Sequence, residues 1–315
     1  MYKKMLVPVD GSKLAEAAFA YAKELAGRLD ADVTILNVVD HKESETLPIH
    51  QAYVDHSAEI MRLGVSTVQK KLSKKQRPNP PNIIGEVTEG YAAEEILKYA
   101  REKGIDMITM STHGRSGIRR WVLGSVADKV LRASFVPVML VRSEAADKAE
   151  FERWKDVTLI VPLDGSEPAE SVLPHVQEIA KQTGNEMLDV VLIRVCEPPE
   201  MPVAEAKFDW QRLMDENWTA CKRETKEYLS GIENHLKQTG LKVRSEPIEQ
   251  KKADVAAEII EYANKIPSSL IVMATCGHSG ISQWAYGSVA HKVLTGSSRP
   301  ILMVRPGSTG DSARC

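Results

Sequence analysis

The chain repeats itself. Residues 111–142 read STHGRSGIRRWVLGSVADKVLRASFVPVMLVR, and residues 274–305 read ATCGHSGISQWAYGSVAHKVLTGSSRPILMVR. Aligning 113–142 on 276–305 gives 16 identities in 30 positions. Earlier blocks recur as well: MLVPVDGS at 5–12 matches LIVPLDGS at 159–166, VTILNVVD at 33–40 resembles DVVLIRVC at 189–196, and AAEEILKYA at 92–100 matches VAAEIIEYA at 255–263. The order is the same in both halves, and the offset grows from 154 at the first block to 163 at the last, so the second half carries an insertion between its second and third blocks. Ordered self-similarity on this scale means two copies of one domain. The boundaries are expected at 1–143 and 155–306, with a charged linker at 144–154 and a polar, Gly/Ser-rich tail at 307–315.

One copy reads as alternating strands and helices. KMLVPVD is a short apolar run, as a buried parallel strand should be. Ser12 can cap the helix that follows, in which Leu14, Ala17, Ala18, Tyr21, Ala22, Leu25 and Leu29 fall at helical spacing. VTILNVV is a second strand, residues 50–73 a mainly polar helix, NIIGEV a third strand, AAEEILKYAREKG a helix closed by Gly104, DMITMS a fourth strand, GSVADKVLRAS a helix and VPVMLVR a fifth strand. The class is α/β, with two tandem, doubly wound, parallel five-stranded sheets. Ligands of such sheets bind beyond the carboxyl ends of strands where the strand order reverses. The loops after the first and fourth strands, PVD and MSTHG, meet there if those strands are neighbours.

The length of 315 residues, with 43% hydrophobic and 27% charged residues, suits two soluble cores. A net charge of −2 and 5% aromatics argue against a nucleic-acid surface or an anionic-lipid surface. No stretch is long and apolar enough for a signal peptide or a membrane span. Cys196, Cys221, Cys276 and Cys315 show no metal-ligand spacing and are expected as free thiols in a reducing cytoplasm.

The chemistry is concentrated in the repeated glycine loop. Gly114 is separated by nine residues from Gly124 and Ser125, and Gly277 stands in the same relation to Gly287 and Ser288. Each pair follows a strand and opens a helix. Free N–H groups and the positive end of the dipole at a helix start suit phosphate, and glycine lets the backbone approach it. A single loop of this kind could be a turn and cap alone; its repetition favours phosphate. It is neither a Walker A loop nor a dinucleotide fingerprint.

These residues carry a resemblance. On VPVDGS and VPLDGS, the AAEEI-type helix and the terminal glycine loop, the chain resembles a tandem member of the universal stress protein family, across nearly all of both halves. The resemblance implies an adenine nucleotide alpha hydrolase-like fold, with the two copies paired as a pseudo-dimer through their last strands. It also implies ATP, with Mg²⁺ held through the phosphates. The ATP-binding members share Gly-x2-Gly-x9-Gly-Ser/Thr; here the first glycine is replaced by Ser111 and by Ala274. By position, Pro8, Val9 and Asp10 border the adenine and ribose end, Val38 offers backbone to adenine, Met110, Ser111 and Gly114 line the pocket, and Gly124, Ser125 and Val126 hold phosphate. The second copy offers Pro162, Asp164, Val195, Met273, Ala274, Gly277, Gly287, Ser288 and Val289. Asp10 and Asp164 are equally readable as turn residues.

Other groupings fail. His113 beside Ser125 lacks a nucleophile elbow, and its counterpart is Cys276. His41, His50 and His56 match no metal spacing. Trp121 and Trp284 read as packing residues, and KKLSKKQRP as a solvated helix end. The expected function is a cytoplasmic nucleotide-binding stress regulator, with a slow ATPase or a nucleotide-independent interaction scaffold as alternatives and no catalytic residues assigned. Arg115, Arg119 and Arg120 in the first loop, against His278, Ser282 and Gln283 in the second, predict tighter nucleotide binding in the first copy.

Overall fold

The structure is a computed structural model that describes residues 2–72, 80–112, 123–142, 157–185, 188–197, 210–250, 254–276 and 286–307. The first copy runs β1 (Lys4–Val9), α1 (Lys13–Leu29), β2 (Asp32–Val39), a 3₁₀ turn (His41–Thr46), α2 (Leu47–Lys71), β3 (Ile83–Glu89), α3 (Ala92–Glu102), β4 (Met107–Ser111), α4 (Ser125–Ala133) and β5 (Val138–Val141). The second runs β6 (Val157–Pro162), α5 (Glu167–Glu170), α6 (Leu173–Thr183), β7 (Leu188–Cys196), α7 (Trp210–Gln238), β8 (Lys242–Glu249), α8 (Val255–Asn264), β9 (Ser269–Ala274), α9 (Ser288–Gly296) and β10 (Ile301–Val304).

The helix that is continuous as α1 is split into α5 and α6 in the second copy. Pro174 sits in the first turn of α6. A proline there cannot donate to the preceding turn, so it starts a helix rather than continuing one. Ser12 and Ser166 cap equivalent helix starts, each accepting from a backbone N–H three residues on, at 3.2 Å.

The strand order is β3-β2-β1-β4-β5-β10-β9-β6-β7-β8, one sheet of ten strands. Within each copy every pairing is parallel, and β1 does lie beside β4, as β6 lies beside β9. The order therefore reverses between β1 and β4 and again between β6 and β9. The two five-stranded sheets join where β5 and β10 pair antiparallel. Met139 faces Leu302 in that ladder. Their numbers differ by 163, the repeat offset itself, so a residue meets its own counterpart and a pseudo-twofold axis passes between them. The pairing turns two apolar edge strands into the centre of the sheet.

Side chains alternate across the sheet. Met5, Val7, Val54, Leu25, Val176 and Leu229 belong to the core under α1, α2, α6 and α7. Leu6, Ile96, Ile108, Val130, Ile259 and Val293 belong to the core under α3, α4, α8 and α9. Side-chain contacts tie the copies together on both faces. On one, Tyr2 O–H lies 2.6 Å from His175 Nδ1, and Gln182 Oε1 accepts from Tyr2 N–H at 2.9 Å. On the other, Tyr286 O–H donates toward the Asp128 carbonyl and carboxylate at 3.2 Å each, while Arg132 lies 4.6 Å over the Tyr286 ring.

The copies differ in how the long helix meets the outer strand. At Gly85 of β3 an added Cβ would lie 2.6 Å from the Val54 backbone, so α2 rests directly on the glycine. The register of β2 with β3 and of β7 with β8 puts Ser245 at the matching place. Its hydroxyl bonds to the Glu233 carboxylate of α7.

Candidate functional site

Each reversal of strand order opens a pocket, and the pockets match position by position. The first, about 170 Å³, is lined among others by Pro8, Val9, Asp10, Val38, Met110, Ser111, Gly124, Ser125 and Val126. The second, about 410 Å³, is lined by Pro162, Asp164, Val195, Met273, Ala274, Gly287, Ser288 and Val289. Every expected residue within the described part of the chain lines its pocket. Gly114 and Gly277 lie outside the described residues, as do Arg115, Arg119, Arg120, His278, Ser282, Gln283, His113, Trp121 and Trp284. The stretches 73–79, 143–156 and 308–315, which hold most of the basic run, the linker and the tail, lie outside them too.

The glycines that open α4 and α9 have ordinary torsions. Gly124 has φ −59° and ψ 147°, and Gly287 has φ −57° and ψ 149°, conformations open to any residue. Their N–H groups donate back to Thr112 and Thr275 carbonyls at 2.8 and 2.9 Å. The glycines therefore contribute an absent side chain, not unusual torsions or their own donors. Beyond them α4 and α9 start with no side-chain cap, in contrast to α1, α5 and α8. The first-turn N–H groups of Ser125, Val126 and Ala127, and of Ser288, Val289 and Ala290, thus have no intrahelical acceptor and no cap. Two helix dipoles aim their positive ends at two pockets.

Asp10 Oδ1 accepts from Ser12 N–H at 2.9 Å, and Asp164 Oδ1 accepts from Ser166 N–H at 2.9 Å. The turn role of both aspartates is thereby established, and both also line a pocket. A Tyr–Glu pair stands behind each loop. Tyr53 O–H donates to Glu16 at 2.9 Å and Tyr228 O–H to Glu170 at 2.8 Å. Burial, with the neighbouring carboxylate, pushes both phenols well above their ordinary pKa.

The walls differ on one side. Asn37 of β2 is buried and donates its amide to the Val9 carbonyl at 2.9 Å. Its β7 counterpart is Arg194, which lines the second pocket with Glu197 and Cys221. Arg194 escaped the sequence reading. Its signal was a charge inside the apolar run VVLIRVC, which a buried strand does not tolerate without a purpose for it. Burial raises the pKa of the Cys221 thiol. Cys196 and Cys221 are free, as expected; Cys276 is disulfide-bonded, which the expectation of free thiols did not include. Among the described residues no cluster of three His, Cys, Asp or Glu side chains could hold a metal, and no helix is long and apolar enough to cross a membrane.

Comparisons with known proteins bear on the family and the fold. The universal stress protein family model matches twice, over residues 1–142 and 158–305. A universal stress protein of Methanocaldococcus jannaschii is 33% identical over 142 residues, covering 45% of this chain and 83% of its own length. One from Bacillus subtilis is 30% identical over 151 residues, covering 45% of this chain and all (100%) of its own. Among solved structures, a universal stress protein from Archaeoglobus fulgidus covers 98% of this chain and 100% of its own, with TM-score 0.60 and 20% identity, a likeness of fold. A universal stress protein solved in complex with cAMP covers 45% of this chain and 98% of its own, with TM-score 0.33 and 20% identity.

Proposed function

This chain belongs to the universal stress protein family, and we propose that its two pockets bind adenine nucleotide, ATP in preference to NAD or flavin, and that occupancy makes it a stress sensor or regulator in the cytoplasm. One observation carries the reading: the duplicated domain keeps a pocket at each reversal of strand order and aims an uncapped helix start into it. In this reading the N–H groups of residues 125–127 and 288–290 receive phosphate, with the Ser125 and Ser288 hydroxyls beside them. Val38 and Val195, at the ends of β2 and β7, offer backbone to the adenine. Met110 and Met273, both nearly buried, form the apolar floor. The Asp10 and Asp164 carboxylates hold their own turns and border the ribose. When Mg²⁺ accompanies ATP, the phosphates are its main ligands, since the described residues provide no dedicated cage.

The test is the full chain as purified. Mass spectrometry of released small molecules and thermal shift against a nucleotide panel should identify ATP; stabilisation by NAD but not by ATP overturns the choice of nucleotide. Phosphate release would move the protein to the slow-hydrolase class. Absence of any nucleotide effect would leave a scaffold whose glycines serve the fold alone.

A further inference from the structure

The second pocket is larger than the first, about 410 against 170 Å³, and the added space has its own lining. Arg194, Glu197 and Cys221 border it on the α7 side. In the first copy neither Asn37 nor Asp40 nor any residue of α2 borders the pocket.

Arg194 gives this lobe its chemistry. The side chain crosses the loop after β6, where a Cβ added to Gly165 would lie 3.3 Å from its Nη1. Its guanidinium lies over the Tyr228 ring, 5.0 Å from the centroid. Tyr228 is in turn fixed by its hydrogen bond to Glu170. The ring contact helps to place the guanidinium, and among the described residues its donors make no hydrogen bond. Arg194 makes no ion pair among the described residues. Half-burial beside a cavity makes a cation costly when no ion pair offsets it among the described residues. Planar forked donors match phosphate or carboxylate. Glu197 stands at the rim, exposed, where solvent screens it.

The position of Arg194 says which part of a ligand it meets. It precedes Val195, and it lies over the glycine that follows Asp164, the residues assigned to adenine and ribose. The phosphate chain belongs to the α9 start. We propose that the second pocket takes an adenine nucleotide phosphorylated on its ribose as well as on its main phosphate chain, with Arg194 as the specificity-determining residue. This rests on the nucleotide reading above. The first pocket, with Asn37 turned into the strand, lacks the second anion site.

Titration calorimetry on the full chain compares AMP with adenosine bisphosphates whose second phosphate is on the ribose, with the two ribose positions as separate arms. A Gly124→Asp background removes the first pocket from the signal. The favoured bisphosphate should bind about tenfold or more tightly than AMP, since one well-formed charged contact is worth that factor. Arg194→Gln should erase the preference while AMP affinity stays within about threefold, and Arg194→Lys should restore part of it. Equal affinity for AMP and both bisphosphates in the unaltered second pocket overturns the proposal and leaves the nucleotide reading standing. So does a preference that survives Arg194→Gln. If no adenine nucleotide binds even the wild-type chain, the nucleotide reading falls and takes this proposal with it.

Discussion

The two pockets share a backbone and differ in one wall. Both lie where strand order reverses, both meet an uncapped helix start, and both place an aspartate at the same turn. Yet Asn37 closes back onto Val9 in one, while Arg194 opens toward the cavity in the other. In the proposed reading the fold sets where a ligand would sit, because backbone donors and dipoles come with the topology. Side chains at the ends of β2 and β7 would then set which ligand it is. One substitution at an equivalent position changes an amide bonded to the strand into a cation with no ion pair among the described residues, and no rearrangement of the sheet is needed.

The sharpest way to break that comparison is to place a carboxylate in each helix start separately. Gly124→Asp and Gly287→Asp should each lower ATP affinity of their own pocket by about a hundredfold or more, because like charges in one site cost several kcal/mol. The loop arginines predict that the first variant removes the tighter phase in calorimetry and the second the weaker one. Equal losses, or a larger loss from Gly287→Asp, would show the arginine reasoning to be wrong.

A smaller asymmetry should appear in acid. His175 of α6 faces Tyr2 across the junction, where the first copy has Tyr21 at the equivalent place. Burial pushes His175 from 6.5 down to about 4. The folded chain therefore binds fewer protons than the unfolded chain between about pH 6.5 and pH 4, so stability is full above that window and falls as the pH drops through it. The full shift is worth roughly 3 kcal/mol. Urea unfolding from pH 7 to pH 4 should show this slope, and His175→Gln should flatten it. An unchanged slope in the variant would assign the acid limb elsewhere.

The packing of the long helices offers the next test. Gly85→Ser installs the second copy's residue in the first, and its Cβ would meet the Val54 carbonyl carbon and oxygen at 2.6 Å. A destabilisation of about 1–3 kcal/mol is expected, as for other overpacked sites. Ser245→Gly should cost less, roughly 1 kcal/mol, through loss of the Glu233 hydrogen bond. A Gly85→Ser chain as stable as wild type in urea would mean that α2 is free to move outward.

The smallest effect is expected at the junction. Tyr286→Phe removes the hydroxyl that meets Asp128 but keeps the ring under Arg132. About 1 kcal/mol should be lost, seen as a few degrees in the first thermal transition. Leu123, its counterpart, has no hydroxyl to lose, and Leu123→Phe serves as the steric control. A Tyr286→Phe loss no greater than that of the control would show that the hydroxyl contributes nothing to the pairing.

Much of this was legible in the sequence for local reasons. The duplication, the strand–helix alternation, the Ser12 and Ser166 caps and the glycine loops are signals carried by residues a few positions apart, and short-range sterics and hydrogen bonding are enough to produce them. The apolar periodicity of 13–29 fixed which face of α1 is buried. The sequence could also place Asp10 at the end of strand 1 and Ser125 at the start of the helix after strand 4, though not in one pocket.

Tertiary structure decided the rest, because it depends on which distant segments touch. Strand order alone brought the ends of β1 and β4 together. The β5–β10 ladder alone made one sheet from two and set Met139 against its own counterpart. The Gly124 torsions assigned that glycine to an absent side chain rather than to a strained turn. Arg194 took on meaning only once Tyr228, some thirty residues away in sequence, came under its guanidinium and the side chain lined a pocket. A charge in an apolar strand can be read from the sequence; whether it is paired depends on contacts that loop closure and packing settle.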